Sequence, residues 1–411
     1  MFDGANVGPR ILMWLMFVAL LPVAGGAQSL PAPPDPASVR VHIGPLLINP
    51  TLSLTNAGVD TNVFNEADSE KPQSDFTITA TPASDLWLRV GRTWVGAVIK
   101  EDLVWYRKLA SERSVNSSYI LGWTVPLTRM TVTMGANWLN TRERPGFEID
   151  ARSKRNDRGY SGGVELRALA KTFIGARGER RTVSFDKAAV FLGSNLHDEL
   201  SRTQTTEALT LRRELTPLTS FTVDVSKEQD RFEFSPLRDS DSSQVSLGLK
   251  FDPDGIISGS AQVGYRHFTP LVSDVPGYNG STAAVNVSYE ARGRAKVTTQ
   301  VTRDVQYSFD INQPYYLLTG VSGSVAQQII GPVAGEGRIG RQRLSYRERT
   351  GTAVAVSGRV DYVRTYGVGV SYHLGRELRL AFNVDHQTRT SDVDRRSYSG
   401  FRYGTAVIYG S

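Results

Sequence analysis

The sequence predicts an all-β chain, a transmembrane antiparallel up-and-down β-barrel of about 16–18 strands. Three observations predict it. Apolar and polar residues alternate with period two over most of the 411 residues, the repeat of a strand with two unlike faces. The breaks between runs alternate between short turns and long polar loops, the pattern of a meander with hairpins at one end. Aromatic residues gather at the two ends of the runs, and small or β-branched residues fill the middle.

The first segment stands outside that pattern. Arg10 precedes the apolar run from Ile11 to Leu21, and Pro22 and Gly25-Gly26-Ala27 follow. This is the order of a secretory signal peptide cleaved after Ala27, and the run is too short to span a bilayer. Residues 1–27 are therefore read as a signal peptide, 28–46 as a Pro-rich periplasmic lead-in and 47–411 as the barrel. The short breaks include Gly91-Arg92-Thr93, Thr216-Pro217-Leu218, 252–255, Arg292-Gly293-Arg294 and Gly375-Arg376-Glu377. The long ones include 142–158, 186–199, 235–242, 270–280 and 390–397. Two regions leave the strand count open: 75–90, one strand or two depending on whether Pro82 splits it, and 315–349, which reads ambiguously.

Parity assigns the faces. Val245, Leu247, Leu249 and Phe251 share one face with Ala261, Val263 and Tyr265 across the turn, and Tyr366, Val368, Val370 and Tyr372 repeat the rule. With the tight turns periplasmic, Trp123, Phe251, Tyr289, Tyr372 and Tyr409 fall near the periplasmic ends; Trp105, Trp138, Tyr265 and Tyr307 fall near the outer ends. Two aromatic girdles flanking an aliphatic band are what membrane interfaces select, so the apolar face meets lipid. The other face lines the lumen, with Lys250, Arg266, Asn286, Glu290, Lys296, Asp304, Arg379 and Asp385 as candidate lumen-facing residues. One residue resists: Arg303 sits on the lipid parity near mid-strand, where a cation costs about 2–4 kcal/mol.

The chain ends FRYGTAVIYGS, an amphipathic strand that resembles the C-terminal signal by which outer-membrane barrels are recognised for assembly. At Gly58-Val59-Asp60-Thr61-Asn62-Val63-Phe64 the chain resembles the family called putative β-barrel porin 2, whose first strand carries a Tyr-Asp-x-Asn-Val-Phe-like element; Val59 replaces the aromatic here. The layout agrees over nearly the whole chain. The resemblance implies a role beside exopolysaccharide synthesis and export.

Other chemistries find little footing. There is no cysteine, the net charge is +6 without a Lys/Arg block, and no nucleic-acid partner is expected. Gly335-Glu336-Gly337-Arg338-Ile339-Gly340 matches G-x-G-x-x-G but lacks the strand before it and the helix after it. The five histidines have no metal-ligand spacing, and Asp385-His386 are strand neighbours that point to opposite faces. No cofactor, metal site or enzyme activity is expected. The expected function is a channel passing a polar solute, a polysaccharide-export or porin-like conduit, with a loop such as 142–158 setting its constriction. A closed structural or adhesive barrel and a rim hydrolase are the alternatives. Expected partners are outer-membrane lipid and lipopolysaccharide, the barrel-assembly machinery, and a periplasmic polysaccharide-export protein with its polysaccharide.

Overall fold

A computed structural model of the chain describes residues 39–410 apart from 254, 292, 355 and 376. The predicted signal peptide 1–27 and the Pro-rich stretch 29–38 lie outside the described residues. Eighteen long strands form one antiparallel ring. They are β1 Leu46–Asp60, β2 Asp75–Val90, β3 Thr93–Tyr106, β4 Ser114–Pro126, β5 Met130–Glu143 and β6 Ser153–Leu169. Next come β7 Thr172–Phe185, β8 Arg202–Thr216, β9 Thr219–Phe232, β10 Ser240–Phe251, β11 Ile257–Pro270 and β12 Tyr278–Ala291. The last six are β13 Ala295–Tyr307, β14 Tyr315–Ile330, β15 Val333–Arg347, β16 Val360–Leu374, β17 Leu378–Thr390 and β18 Tyr398–Tyr409.

Each strand pairs with its neighbours in sequence, and β18 closes the ring on β1 from Leu52↔Tyr409 to Asp60↔Arg402. The seam carries a bulge at Thr55–Gly58. Gly58 is required there, because a Cβ would lie 1.9 Å from the Tyr403 carbonyl oxygen. The hydroxyls of Thr77 and Thr405 donate to the carbonyls of Asn56 and Ala57, the two residues the bulge leaves without a partner on β2. Closure leaves no sheet edge, which a lipid solvent demands.

One end of the ring has turns of two to five residues, the other has loops of seven to sixteen. The short strand Val41–Ile43 folds back on Leu46–Ile48 at the tight-turn end. There Val39, Leu47, Trp87 and Trp94 pack together. Polarity is inverted relative to a water-soluble fold: Val245 and Leu247 are 51% and 48% exposed while Ser246 between them is 2% exposed. Their rungs continue as Val225 and Val223 on β9 and Tyr265 and Val263 on β11. Exposed oil on a closed wall is a lipid-facing surface.

The structure resolves four details. Pro82 does not divide β2; it sits opposite Leu52 within a continuous strand. The region 315–349 resolves as β14 and β15. The glycine-rich 335–340 lies inside β15. The break expected at 142–158 narrows to 144–152, because β5 and β6 stay paired up to Glu143↔Ser153. Above the bilayer both faces of a strand are wet, so alternation stops while the backbone ladder continues.

The wall splits in one place. The β12–β13 ladder stops at Ala283↔Arg303, although β11–β12 runs on to Phe268↔Tyr278 and β13–β14 to Tyr307↔Tyr315. Beyond the split, Val305, Tyr307, Tyr315 and Leu317 keep the outward parity of Val301 and Val321. They are nevertheless packed on Phe268 and Tyr278, which belong to the inner face of β11 and β12. The tip of the β13–β14 hairpin has therefore turned into the mouth. Tyr307 confirms the direction, donating to Asp230 Oδ2 at 2.9 Å and stacking edge-on with Phe232. Arg303 now has its reason. At the last rung its Nε donates to the Ser281 carbonyl at 3.1 Å, freed by the split, and its Nη1 donates to Thr319 Oγ1 at 2.9 Å.

Candidate functional site

The inner wall is a polar surface whose charges are mostly paired. Arg266 lies between Asp304 at 3.2 Å and Glu228 at 3.4 Å, and its Nε donates to Gln244 at 3.1 Å. Arg338 donates to Asp385 at 2.8 Å and lies 3.5 Å from Glu336. That bridge passes over Gly367, the residue between them on the rung; a Cβ there would stand 2.2 Å from Asp385 Oδ1. Arg212 is clamped between Glu165 at 2.6 Å and Glu214 at 3.2 Å, with its guanidinium over the Phe173 ring.

Of the candidate lumen residues, Arg266 and Asp304 meet, and Asp385 meets Arg338. Glu290 and Lys296 are direct cross-strand partners. Asn286 lies opposite Ser260 and Gln300, exposed to the lumen, and Lys250 is exposed near the tight-turn end. Arg379 is half-buried, and its Nε finds no hydrogen-bond partner. His386 lies on the outer face, stacked on Phe401 at 4.2 Å and hydrogen-bonded to Ser399, so Asp385 and His386 form no dyad.

The outer mouth holds residues the sequence did not single out. Loop 144–152 leaves the wall between β5 and β6, loop 308–314 between β13 and β14, almost diametrically opposite on the ring. They meet. Glu148 Oε1 accepts from the Ser308 hydroxyl at 2.7 Å and Oε2 from the Phe309 N–H at 3.2 Å. Arg389, from the top of β17, donates to the Phe147 and Glu148 carbonyls at 3.0 and 3.2 Å. It also pairs with Asp150 at 3.2 Å and with Asp361. Arg396 pairs with Asp150 at 3.1 Å, and Arg359 with Asp361 at 2.8 Å. On the other flank Arg144 donates to the Asp150 carbonyl at 2.7 Å, and Asn65 donates to Asp150 Oδ1 at 3.2 Å. Arg238 holds loop 308–314 through the Ser308 carbonyl at 3.2 Å.

Apolar packing completes the closure. Helix α1, Leu196–Leu200, sits in loop 186–201 and places Leu196 and Leu200 against Ile149, Phe191, Phe232 and Phe309. Phe147 packs on Tyr316, Leu318, Leu344, Tyr346 and Val363 of the inner wall. Burial pushes the Glu148 carboxyl above its ordinary 4.5, against the Ser308 hydrogen bond and the guanidiniums of Arg359, Arg396 and Arg389, which favour the anion. The signal for this site was faint. Long charged loops are ordinary on a barrel, and nothing in a run such as RERPGFEID says that its acids are buried.

The family model described as "putative beta-barrel porin 2" matches residues 33–408. The chain belongs to that family. It is a porin-like outer-membrane β-barrel. No curated protein matches it. Among solved structures it is similar to the outer-membrane protein OpdK of Pseudomonas aeruginosa, at 13% identity and TM-score 0.49, covering 88% of this chain and 98% of that one. It is also similar to a BenF-like porin of Pseudomonas fluorescens Pf-5, at 11% identity and TM-score 0.48, covering 89% and 98%. The FrpB iron transporter of Neisseria meningitidis follows at 9% identity and TM-score 0.42, covering 84% and 62%.

Proposed function

We propose that the barrel passes small polar solutes down their gradient and that loops 144–152 and 308–314 control its outer mouth. A ring of eighteen strands encloses an aqueous lumen unless loops fill it. The observation that carries the reading is the seat of Arg389: one guanidinium ties loop 144–152 to the wall through two carbonyls and two carboxylates. The lumen below offers hydroxyls, amides and paired charges, suited to hydroxylated or mildly charged solutes. Passage of a polysaccharide chain requires loops from opposite sides of the ring to leave the mouth together, and nothing in the mouth favours that reading over small solutes. The barrel-assembly machinery remains the proposed partner of β18.

Single-channel recording of the refolded protein tests the reading. Small, intermittent conductance in the native protein, larger and steadier in Arg389→Gln, is expected. Silence in both proteins would favour the closed barrel that acts through its surface loops.

A further inference from the structure

Four arginines stand on the lipid-facing parity of β13, β15 and β16, in two neighbouring rungs. One rung reads Arg303, Thr319, Arg343, Tyr362 and the next Val301, Val321, Arg341, Arg364. The rung below them is Thr299, Gly323, Ile339, Tyr366, His386, Phe401. Tyr366 and Phe401 are exposed aromatics of the outer girdle. Arg364 is two residues beyond Tyr366, roughly 7 Å further along the strand at the usual rise. The four guanidiniums therefore ring the wall just outside the hydrocarbon, at the height of lipid headgroups.

Their pairing is unusual. Arg341 and Arg364 are direct cross-strand partners, and like charges placed so repel. No carboxylate occupies an outward position on these strands at this height: the neighbours are Thr319, Thr388, Ser345, Tyr362 and His386. None of the four makes an ion pair among the described residues. Arg341 lies over the Tyr362 ring at 4.8 Å, and Arg303 is fixed by Ser281 and Thr319. On β8 and β9, by contrast, Glu207 faces Lys227 on the outward parity. Four oriented cations without an anion of the protein's own form a site for an anion supplied by the surroundings, and guanidinium forks match phosphate.

We infer that this sector binds the phosphorylated headgroup of an outer-leaflet glycolipid, with Arg341 and Arg364 as its centre and Arg303 and Arg343 flanking. The inference rests on the barrel standing with its long loops outward; it does not depend on what the lumen passes. Bound phosphate would cancel the Arg341–Arg364 repulsion and fasten the lipid beside the split between β12 and β13.

Native mass spectrometry of the refolded barrel, titrated in detergent with bisphosphorylated lipid A, tests this. Dephosphorylated lipid A, inorganic phosphate, the double variant Arg341→Gln/Arg364→Gln and the control Lys227→Gln provide the comparisons. The native protein and Lys227→Gln should bind bisphosphorylated lipid A alike. The double variant should bind it about tenfold more weakly or worse, as the loss of charge-assisted hydrogen bonds implies. Its heat-modifiable mobility on gels should match the native barrel, showing that it folds. Equal binding of dephosphorylated lipid A would overturn the inference in favour of acyl-chain adhesion. Saturation by inorganic phosphate at the same concentration would make it a free-anion site, and equal binding by the double variant would remove the arginines from it.

Discussion

The wall within the bilayer and the outer mouth obey different rules. In the wall each residue answers to one of two solvents, so Leu247 is bare and its neighbour Ser246 is covered by Gln262, which donates to it at 2.6 Å. At the mouth both sides are wet, and the chain satisfies itself instead: Asp361, Arg389, Glu148 and Arg359 are buried together. The wall is stabilised by its continuous ladder and by transfer of alkyl groups to lipid, terms spread over hundreds of atoms. The mouth depends on a few side chains, each with several partners. Damage should therefore be graded in the wall and abrupt at the mouth.

The largest expected effect is at the mouth. Arg389→Ala leaves Asp361 and Asp150 without a shared cation in a dry site, and breaking a buried pair in this way costs about 3–5 kcal/mol. The loss should appear in the protection of loop 144–152 against trypsin, cutting after Arg152 while the barrel stays folded. Arg395→Ala, two loop residues from the start of β18, provides the contrast. Its side chain is 70% exposed and its partner Glu70 stands 3.0 Å away, a surface pair contributing about 0–1 kcal/mol. Equal protection in both variants would show that the buried network does not hold the loop.

The next effect is in the wall. Leu247→Arg puts a cation into hydrocarbon and should cost about 2–4 kcal/mol, read as a fall in the folded fraction in lipid vesicles. Asn286→Arg, exposed on the inner face, should change that fraction little. Ser246 is a poor control despite its inward parity, because it is covered. If the two variants behave alike, the parity does not separate two solvents.

This contrast also explains what was legible in the sequence. A barrel of 16–18 strands, its turn positions and its two unlike faces could be read because lipid imposes period two over many residues; the choice of eighteen came from the structure. The split between β12 and β13 could not be read. Its one trace was Arg303, a cation on the wrong parity, and its meaning required the ladder to stop at Ala283. The contacts Arg266–Asp304 and Arg338–Asp385 could not be read either, because the partners sit two strands apart and only the register joins them. The mouth was least legible, since loop acids and arginines look alike whether solvated or buried.

A smaller effect follows from Glu148. Its carboxyl is raised above 4.5 by burial, so the seated loop takes up a proton more readily than the released loop. Stability of the seat is then greatest below the ordinary carboxylate range and is lost as pH rises through the raised value. Charged groups facing it are Arg359, Arg389 and Arg396, and Tyr346 contacts the same network; the guanidiniums do not titrate in this window. Protection of loop 144–152 should increase as pH falls from neutral toward about 5. Glu148→Gln should show no such slope. An unchanged slope in Glu148→Gln would assign the dependence to another group.

The smallest effect expected is on ion selectivity. A pore selects one sign of ion when bare charge of one sign crowds its constriction. Here Arg266, Arg338 and Arg212 each lie within 3.5 Å of two carboxylates, so an ion in the lumen meets clusters of mixed sign. Their fields fall away faster than those of single charges, and at physiological ionic strength screening acts within about 8 Å. Reversal potentials in a salt gradient should be a small fraction of the Nernst limit and should shrink as salt rises. Arg338→Gln sharpens the test, because it leaves Asp385 and Glu336 unbalanced on the inner wall. That variant should shift the reversal potential toward cations at low salt and much less at high salt. Strong selectivity in the native channel, or no shift in the variant, would mean that ions do not pass beside this wall, and the open route would have to lie elsewhere in the ring.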